Sequence, residues 1–249
     1  MTATTSNTGS PHAYARWAGV LALVLVFVGP FSMMYVPTTL VVPGDASATA
    51  ERLVEAESLF RLGILGDTVI VLTEVVLIGL LYTLFKPVNA TLSLTAAMAR
   101  LAMTVVQGVN IMNSLVVLLL LSGAGYLGAF DQGQLHALAL LFLNAHEQVA
   151  HIWEIFFALH CLLLGVLIFR SGFVPKILGP LMGMAAAGYL ANGIGNLLYP
   201  EARSVLAPLV AVTAIFGELP FFLWLLAKGV SVEAWRRFVW KAQTLAVEP

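Results

Sequence analysis

The stretch that decides the fold is Phe60–Phe85, FRLGILGDTVIVLTEVVLIGLLYTLF, closed by Lys86-Pro87. Its apolar run is continuous rather than alternating. It is also longer than the roughly 20 residues a helix needs to cross a hydrocarbon layer about 30 Å thick. Five other stretches read the same way: Tyr14–Val36, Ala90–Leu121, Val149–Phe169, Ile177–Leu198 and Val205–Ala227. Gly29-Pro30 is expected to kink the first. Ala90–Leu121 exceeds one crossing, so it is expected to tilt or to leave its first turns outside the core. The composition agrees. Of 249 residues 60% are apolar and 10% charged, with a mean hydropathy of +0.94; an ordinary soluble domain carries about 25% charged residues. There are too few polar side chains here to coat a water-soluble globule. A net charge of -1 leaves no basic footprint for nucleic acid. The single cysteine, Cys161, excludes an internal disulfide and a cysteine-built metal site. The expected fold class is all-α: a polytopic membrane protein, a bundle of six transmembrane helices with short interfacial helices.

Three regions are expected. Residues 1–12 form a Ser/Thr-rich disordered tail, 13–230 the six-helix domain, and 231–249 a cytoplasmic amphipathic segment. Thr49–Leu59 sets Glu51, Arg52 and Glu55 beside Leu53, Val54 and Leu59, which reads as a short amphipathic helix at the surface. Leu135–Leu143 is too short to span and is expected to lie on the surface before the fourth crossing. Val232–Lys241 places Trp235, Phe238 and Trp240 beside Arg236, Arg237 and Lys241, a pattern suited to an anionic membrane face. Trp17, Tyr199 and Trp224 read, with Trp235 and Trp240, as interface belt residues. Lys and Arg set the orientation. With both termini cytoplasmic, Arg16, Lys86, Arg170, Lys176, Lys228, Arg236, Arg237 and Lys241 lie inside, against Arg52, Arg61 and Arg203 outside, with Arg100 left in the membrane. Ala46-Ser47-Ala48 has the small-x-small form of a signal-peptide cleavage site, but it lies far downstream of the first apolar run, so an uncleaved span is expected. The expected location is the bacterial inner membrane, N-in and C-in.

An ionisable side chain at mid-membrane costs about 2.5–3.5 kcal/mol, so such residues turn inward and seek partners. Asp67 and Glu74 are seven apart, within about 20° of one helix face. Arg100, Thr104 and Gln107 share a stripe, with Asn110 at its edge; Glu147, His151 and Glu154 share another; Asn192 and Asn196 are one turn apart. Glu218 precedes Pro220, which cannot donate to the carbonyl of Phe216 and leaves it free. Glu74, Gln107 and Glu218 are expected near mid-depth, His151, Glu154, Asn192 and Asn196 in the outer half, Asp67 further out, and Arg100 in the inner third. Together they outline a polar cavity that tapers inward from the non-cytoplasmic face. Arg100 stays charged and demands a carboxylate, Glu74 or Glu218. The one left over is expected to hold a proton, because desolvation disfavours its anion.

Catalytic motifs are mostly absent. His146-Glu147-Gln148-Val149-Ala150-His151 is one residue out of register for H-E-x-x-H, and at i, i+5 the two rings diverge by about 140°. A metal reading would use Glu147, His151 and Glu154, yet bundle di-metal sites draw histidines from two helices. His151 and His160 share one helix, so they cannot ligate a haem across helices, and His160 reads as a packed or hydrogen-bonded residue. No nucleophile elbow, P-loop or dinucleotide fingerprint is present.

The segments RLGILGDTVIVLTEVVLIGLLYTLFKPVN (Arg61–Asn89), ARLAMTVVQGVN (Ala99–Asn110), ALHCLLLGVLIFRSGFVPKILGPLM (Ala158–Met182) and GELPFFLWLLAKGV (Gly217–Val230) together resemble domain-of-unknown-function family 4386. That family comprises bacterial multi-pass membrane proteins. The resemblance runs over nearly the whole chain beyond the first loop. It implies a fold and a location; no activity attaches through it to any residue.

The leading functional expectation is a cavity that binds a small polar ligand, ion or proton, as in a transporter or sensor. Glu74, Arg100 and Glu218 form its floor; Asp67, Gln107, His151, Glu154, Asn192 and Asn196 line it. Two alternatives stand beside it: a membrane-embedded, metal-assisted enzyme at Glu147, His151 and Glu154, and a structural or partner-binding bundle whose polar groups only join helices. The bilayer is the one partner the sequence requires. Cofactor and oligomeric state are left open.

Overall fold

The computed structural model describes residues 10–245, so the expectations for residues 1–9 and for 246–249 lie outside them. Nine helices and no strand occur among the described residues. They are α1 (Pro11–Pro30), α2 (Val36–Leu40), α3 (Ala46–Glu55), α4 (Glu57–Phe85), α5 (Ala90–Leu120), α6 (Gln132–Ser171), α7 (Leu178–Leu198), α8 (Arg203–Ala227) and α9 (Val232–Leu245). A π-helical turn, Phe31–Tyr35, joins α1 to α2 directly after Pro30. The break expected at Gly29-Pro30 is thus a change of winding that carries the chain past the proline within one 30-residue helical run, Pro11–Leu40. Pro11 and His12, expected in the tail, belong to α1.

Capping fixes where several helices begin. Asp45 accepts from Ala48 N at 2.9 Å, Asn89 from Leu92 N at 2.9 Å, and Asp131 forms a reciprocal box with Gln134. The last cap corrects one boundary. Leu135–Leu143 is not a separate surface segment but the first part of α6, a continuous helix of 40 residues. At 1.5 Å per residue it is about 60 Å long, twice the hydrocarbon thickness.

The helices close into a ring. α1 packs on α4, α4 on α5, α5 on α6, α6 on α7, α7 on α8, and α8 returns to α1. At the α6–α7 seam the backbones approach closely: a Cβ on Gly165 would stand 2.8 Å from the Gly179 carbonyl oxygen, and one on Gly179 2.7 Å from that of Gly165. Only hydrogen fits there. One apolar cluster, including Leu77, Leu84, Leu164, Ile168 and Phe221, fills one end of the ring; a smaller one, with Val36, Leu53, Phe60 and Val117, fills the other. Most buried polar side chains lie between the two.

Polarity is inverted relative to a soluble protein. Arg100 is 2% exposed while Phe27 is 73% exposed, and Leu72, Val76, Val105, Val109 and Met112 face outward. That distribution suits a hydrocarbon solvent. Five helical runs are long and apolar enough to cross a membrane: Pro11–Leu40, Glu57–Phe85, Ala90–Leu120, Gln132–Ser171 and Pro200–Ala227. The sequence reading counted six. The difference is α7, whose 21 residues include five glycines as well as Asn192 and Asn196, all of which lower its hydropathy. α3 and α9 are amphipathic, but α3 runs from Ala46 to Glu55 rather than from Thr49 to Leu59, and Glu57–Leu59 open α4. α9 is tied to the bundle by Trp235, whose indole N–H donates to the Leu84 carbonyl at 2.9 Å, while Arg236, Arg237 and Trp240 face out.

Candidate functional site: a buried polar network

The network has two layers. In the first, Glu74 of α4 meets Arg100 of α5 in a two-pronged pair: Arg100 Nε donates to Oε2 at 2.5 Å and Nη2 to Oε1 at 3.0 Å. Both side chains are buried. Arg100 Nη1 donates to His160 Nε2 at 2.9 Å. Because a guanidinium can only donate, Nε2 carries the lone pair. His160 Nδ1–H then donates to the Ala96 carbonyl at 2.9 Å, which fixes one neutral tautomer. The guanidinium also lies over the Phe157 ring, 5.2 Å from its centroid, and the His160 ring stacks on the same phenyl. Of the two carboxylates that the sequence left open for Arg100, the structure selects Glu74.

Glu218 of α8 has a different partner. Tyr189 of α7 donates its phenol to Glu218 Oε1 at 2.8 Å. Tyr189 sits edge-on to Phe157 at 4.8 Å and to Trp153 at 6.0 Å. Glu218 lies within electrostatic range of both Arg100 and Glu74. The three residues expected at the floor therefore converge, with Arg100 committed to one carboxylate.

The second layer lies one to two turns further along α6 and α7. Asn192 Nδ2 donates to both oxygens of Glu154 at 2.8 Å, His151 Nδ1 stands 3.3 Å from Oε2, and Asn196 Nδ2 donates to Asn192 Oδ1 at 3.0 Å. α7 comes close enough for this because Gly193 lies against α6: a Cβ there would stand 2.7 Å from the His151 carbonyl oxygen. Nearby, Asn110 Nδ2 donates to the His146 carbonyl at 2.9 Å, and His146 Nδ1 stands 3.2 Å from the Asn110 carbonyl oxygen. Asp67 is 4.0 Å from His146 Nε2.

Not every expected member joins. Thr104 donates back to the Arg100 carbonyl of its own helix. Gln107 is 2% exposed and neither of its amide atoms has a hydrogen-bond partner. Glu147 is ion-paired with Arg203, while His151 and Glu154 meet each other. Among the described residues no group of three or more His, Cys, Asp or Glu side chains could hold a metal ion. Glu74 and Arg100 stand at one level, not at different depths. Tyr189, Phe157 and the structural part of His146 were missed in the sequence. Tyr189 lies three residues before Asn192 on the same face of α7, and that spacing was the available signal.

A closed ring of apolar helices around a charged interior defines a multi-pass membrane protein in a lipid bilayer. Residues 17–229 match the family described as Domain of unknown function (DUF4386), and the chain belongs to that family. An uncharacterized protein of Archaeoglobus fulgidus is 34% identical to it over 87 residues, covering 35% of this chain and 50% of the relative. The chain thus spans about half the length of that relative. No solved structure matches.

Proposed function

We propose that the protein is a transporter- or sensor-like membrane protein whose polar interior opens toward the non-cytoplasmic side and exchanges a proton at Glu218. The observation that carries this reading is the partner of Glu218: a neutral phenol. Arg100, the one guanidinium in the bundle interior among the described residues, is committed to Glu74 and His160. A carboxylate in a low-dielectric interior needs a counter-charge, and for Glu218 that charge is a proton or a cation that comes and goes. Tyr189 holds the carboxyl without neutralising it.

The same reading takes α7 as a sixth crossing. Its 21 residues span about 31 Å, and it has a packed neighbour on each side in the ring. Six crossings return the C-terminus to the side of the N-terminus. The bias of eight Lys and Arg against three supports a reading with both termini in the cytoplasm of a bacterial inner membrane. A purely structural role is favoured for one part, the Glu74–Arg100–His160 clamp, whose hydrogen bonds close on one another.

The test is proton uptake into liposomes containing the purified protein and an internal pH dye, driven by a potassium diffusion potential. Wild type should acidify the interior. Glu218→Gln should abolish uptake while melting like wild type. Uptake at the wild-type rate in E218Q, or none in wild type, would overturn the proposal.

A further inference from the structure

Four buried side-chain atoms among the described residues have no hydrogen-bond partner, and they belong to three residues: Ser32 Oγ, Asp67 Oδ1, and Gln107 Oε1 and Nε2. Each residue is at least nine-tenths buried. Leaving such atoms bare costs about 1–3 kcal/mol apiece, so a cluster of them points to an occupant.

The three converge. Ser32, in the π-helical turn after Pro30, packs on Gly66, where a Cβ would stand 2.9 Å from its own Cβ, and its hydroxyl lies beside the Asp67 carboxyl. Asp67 lies seven residues before Glu74, and Gln107 seven after Arg100. Since α4 and α5 run antiparallel and Glu74 meets Arg100, two turns along each helix bring Asp67 level with Gln107 across the same seam. A second route agrees. Asn110, one turn from Gln107, bonds His146, whose ring is 4.0 Å from Asp67.

We infer that Ser32, Asp67 and Gln107 form a binding site for a dehydrated monovalent cation of sodium's size, between the π-helical turn after α1 and the helices α4 and α5. The donor atoms are a hydroxyl, a carboxylate and an amide oxygen, a hard all-oxygen set. One carboxylate balances one positive charge; a divalent ion would leave a net charge in the bundle interior. A cation carrying one water engages all four bare atoms, with three oxygens toward the ion and the Gln107 N–H toward the water. His146 does not fill the role, because its Nε2 stays beyond hydrogen-bond distance of Asp67 while its Nδ1 faces the Asn110 carbonyl. At the same end of the molecule, a separate cleft of about 590 Å³ between α3 and the start of α6 is lined by Glu51, Glu55 and His136, and its carboxylates attract cations to that end. The site deepens the reading of an ion-handling interior, yet it lies apart from Glu218.

The experiment is binding of radioactive sodium to the purified full-length protein in detergent, with choline chloride holding ionic strength constant. Wild type should bind one ion saturably and melt at higher temperature in sodium than in choline. Asp67→Asn should abolish both effects. Ser32→Ala keeps the charge and the fold but removes one ligand, and should weaken binding about tenfold. Glu218→Gln should bind sodium like wild type, which separates this site from proton exchange. No saturable sodium binding in wild type, or binding unchanged in both D67N and S32A, would overturn the inference and leave water as the occupant.

Discussion

Glu74→Gln leaves the Arg100 guanidinium in place, 2% exposed, and removes the negative charge that both its Nε and Nη2 address. Breaking one side of a buried ion pair costs about 3–5 kcal/mol. That corresponds to a loss of roughly 10²- to 10⁴-fold in the folded-to-unfolded ratio. Replacing both residues, E74M with R100M, removes the stranded charge and fills the volume with apolar atoms. One cost remains: His160 Nε2 loses the donor at 2.9 Å, a penalty of about 1–3 kcal/mol. The double variant should therefore be more stable than E74Q alone. The coupling between the two positions should exceed the average of about 0.6 kcal/mol for polar contacts between membrane helices. Reversible unfolding of wild type, E74M, R100M and E74M/R100M in mixed micelles measures the cycle, with E74Q run beside them. An E74Q protein within about 1 kcal/mol of wild type, or a double variant as unstable as the sum of its single changes, would refute the reasoning.

The remaining predictions concern packing. Gly165→Ala puts a methyl 2.8 Å from the Gly179 carbonyl and should cost about 1–3 kcal/mol, read as a lowered melting temperature; the same change at Gly183, where a Cβ meets nothing within 4 Å, should be nearly silent. Trp235→Phe removes the bond to the Leu84 carbonyl. Amide exchange should then speed up in α9 and stay unchanged in α4–α8, whereas α9 protection equal to wild type would show that the indole does not anchor it.

Five of the six expected spans were legible because long apolar runs allow little else, and the ends of α5 and α8 fall within two residues of expectation. The shared face of Asp67 and Glu74 was legible from a spacing of seven. The choice of Glu74 over Glu218 was not, because it depends on the register of α4 against α5, which no single-helix periodicity encodes. α6 was read as two pieces since His146, Glu147 and Gln148 interrupt its apolar character, although nothing there breaks a helix. Tyr189 escaped notice because a tyrosine in an apolar span reads as packing until the carboxyl opposite it is known. Ser32 escaped for a related reason: its importance comes from Gly66 and Asp67 on another helix.

The central claim is that Glu74 and Glu218, on one level of the same interior, differ because only Glu74 has a guanidinium. A hydrophobic carbodiimide, which attacks carboxyl groups that take up a proton in apolar surroundings, compares them in one sample when its adducts are located by mass spectrometry of the digested protein. Adducts should form on Glu218 and be absent or much slower on Glu74. Labelling of Glu74 as fast as Glu218, or an unreactive Glu218 in folded protein, would contradict the account.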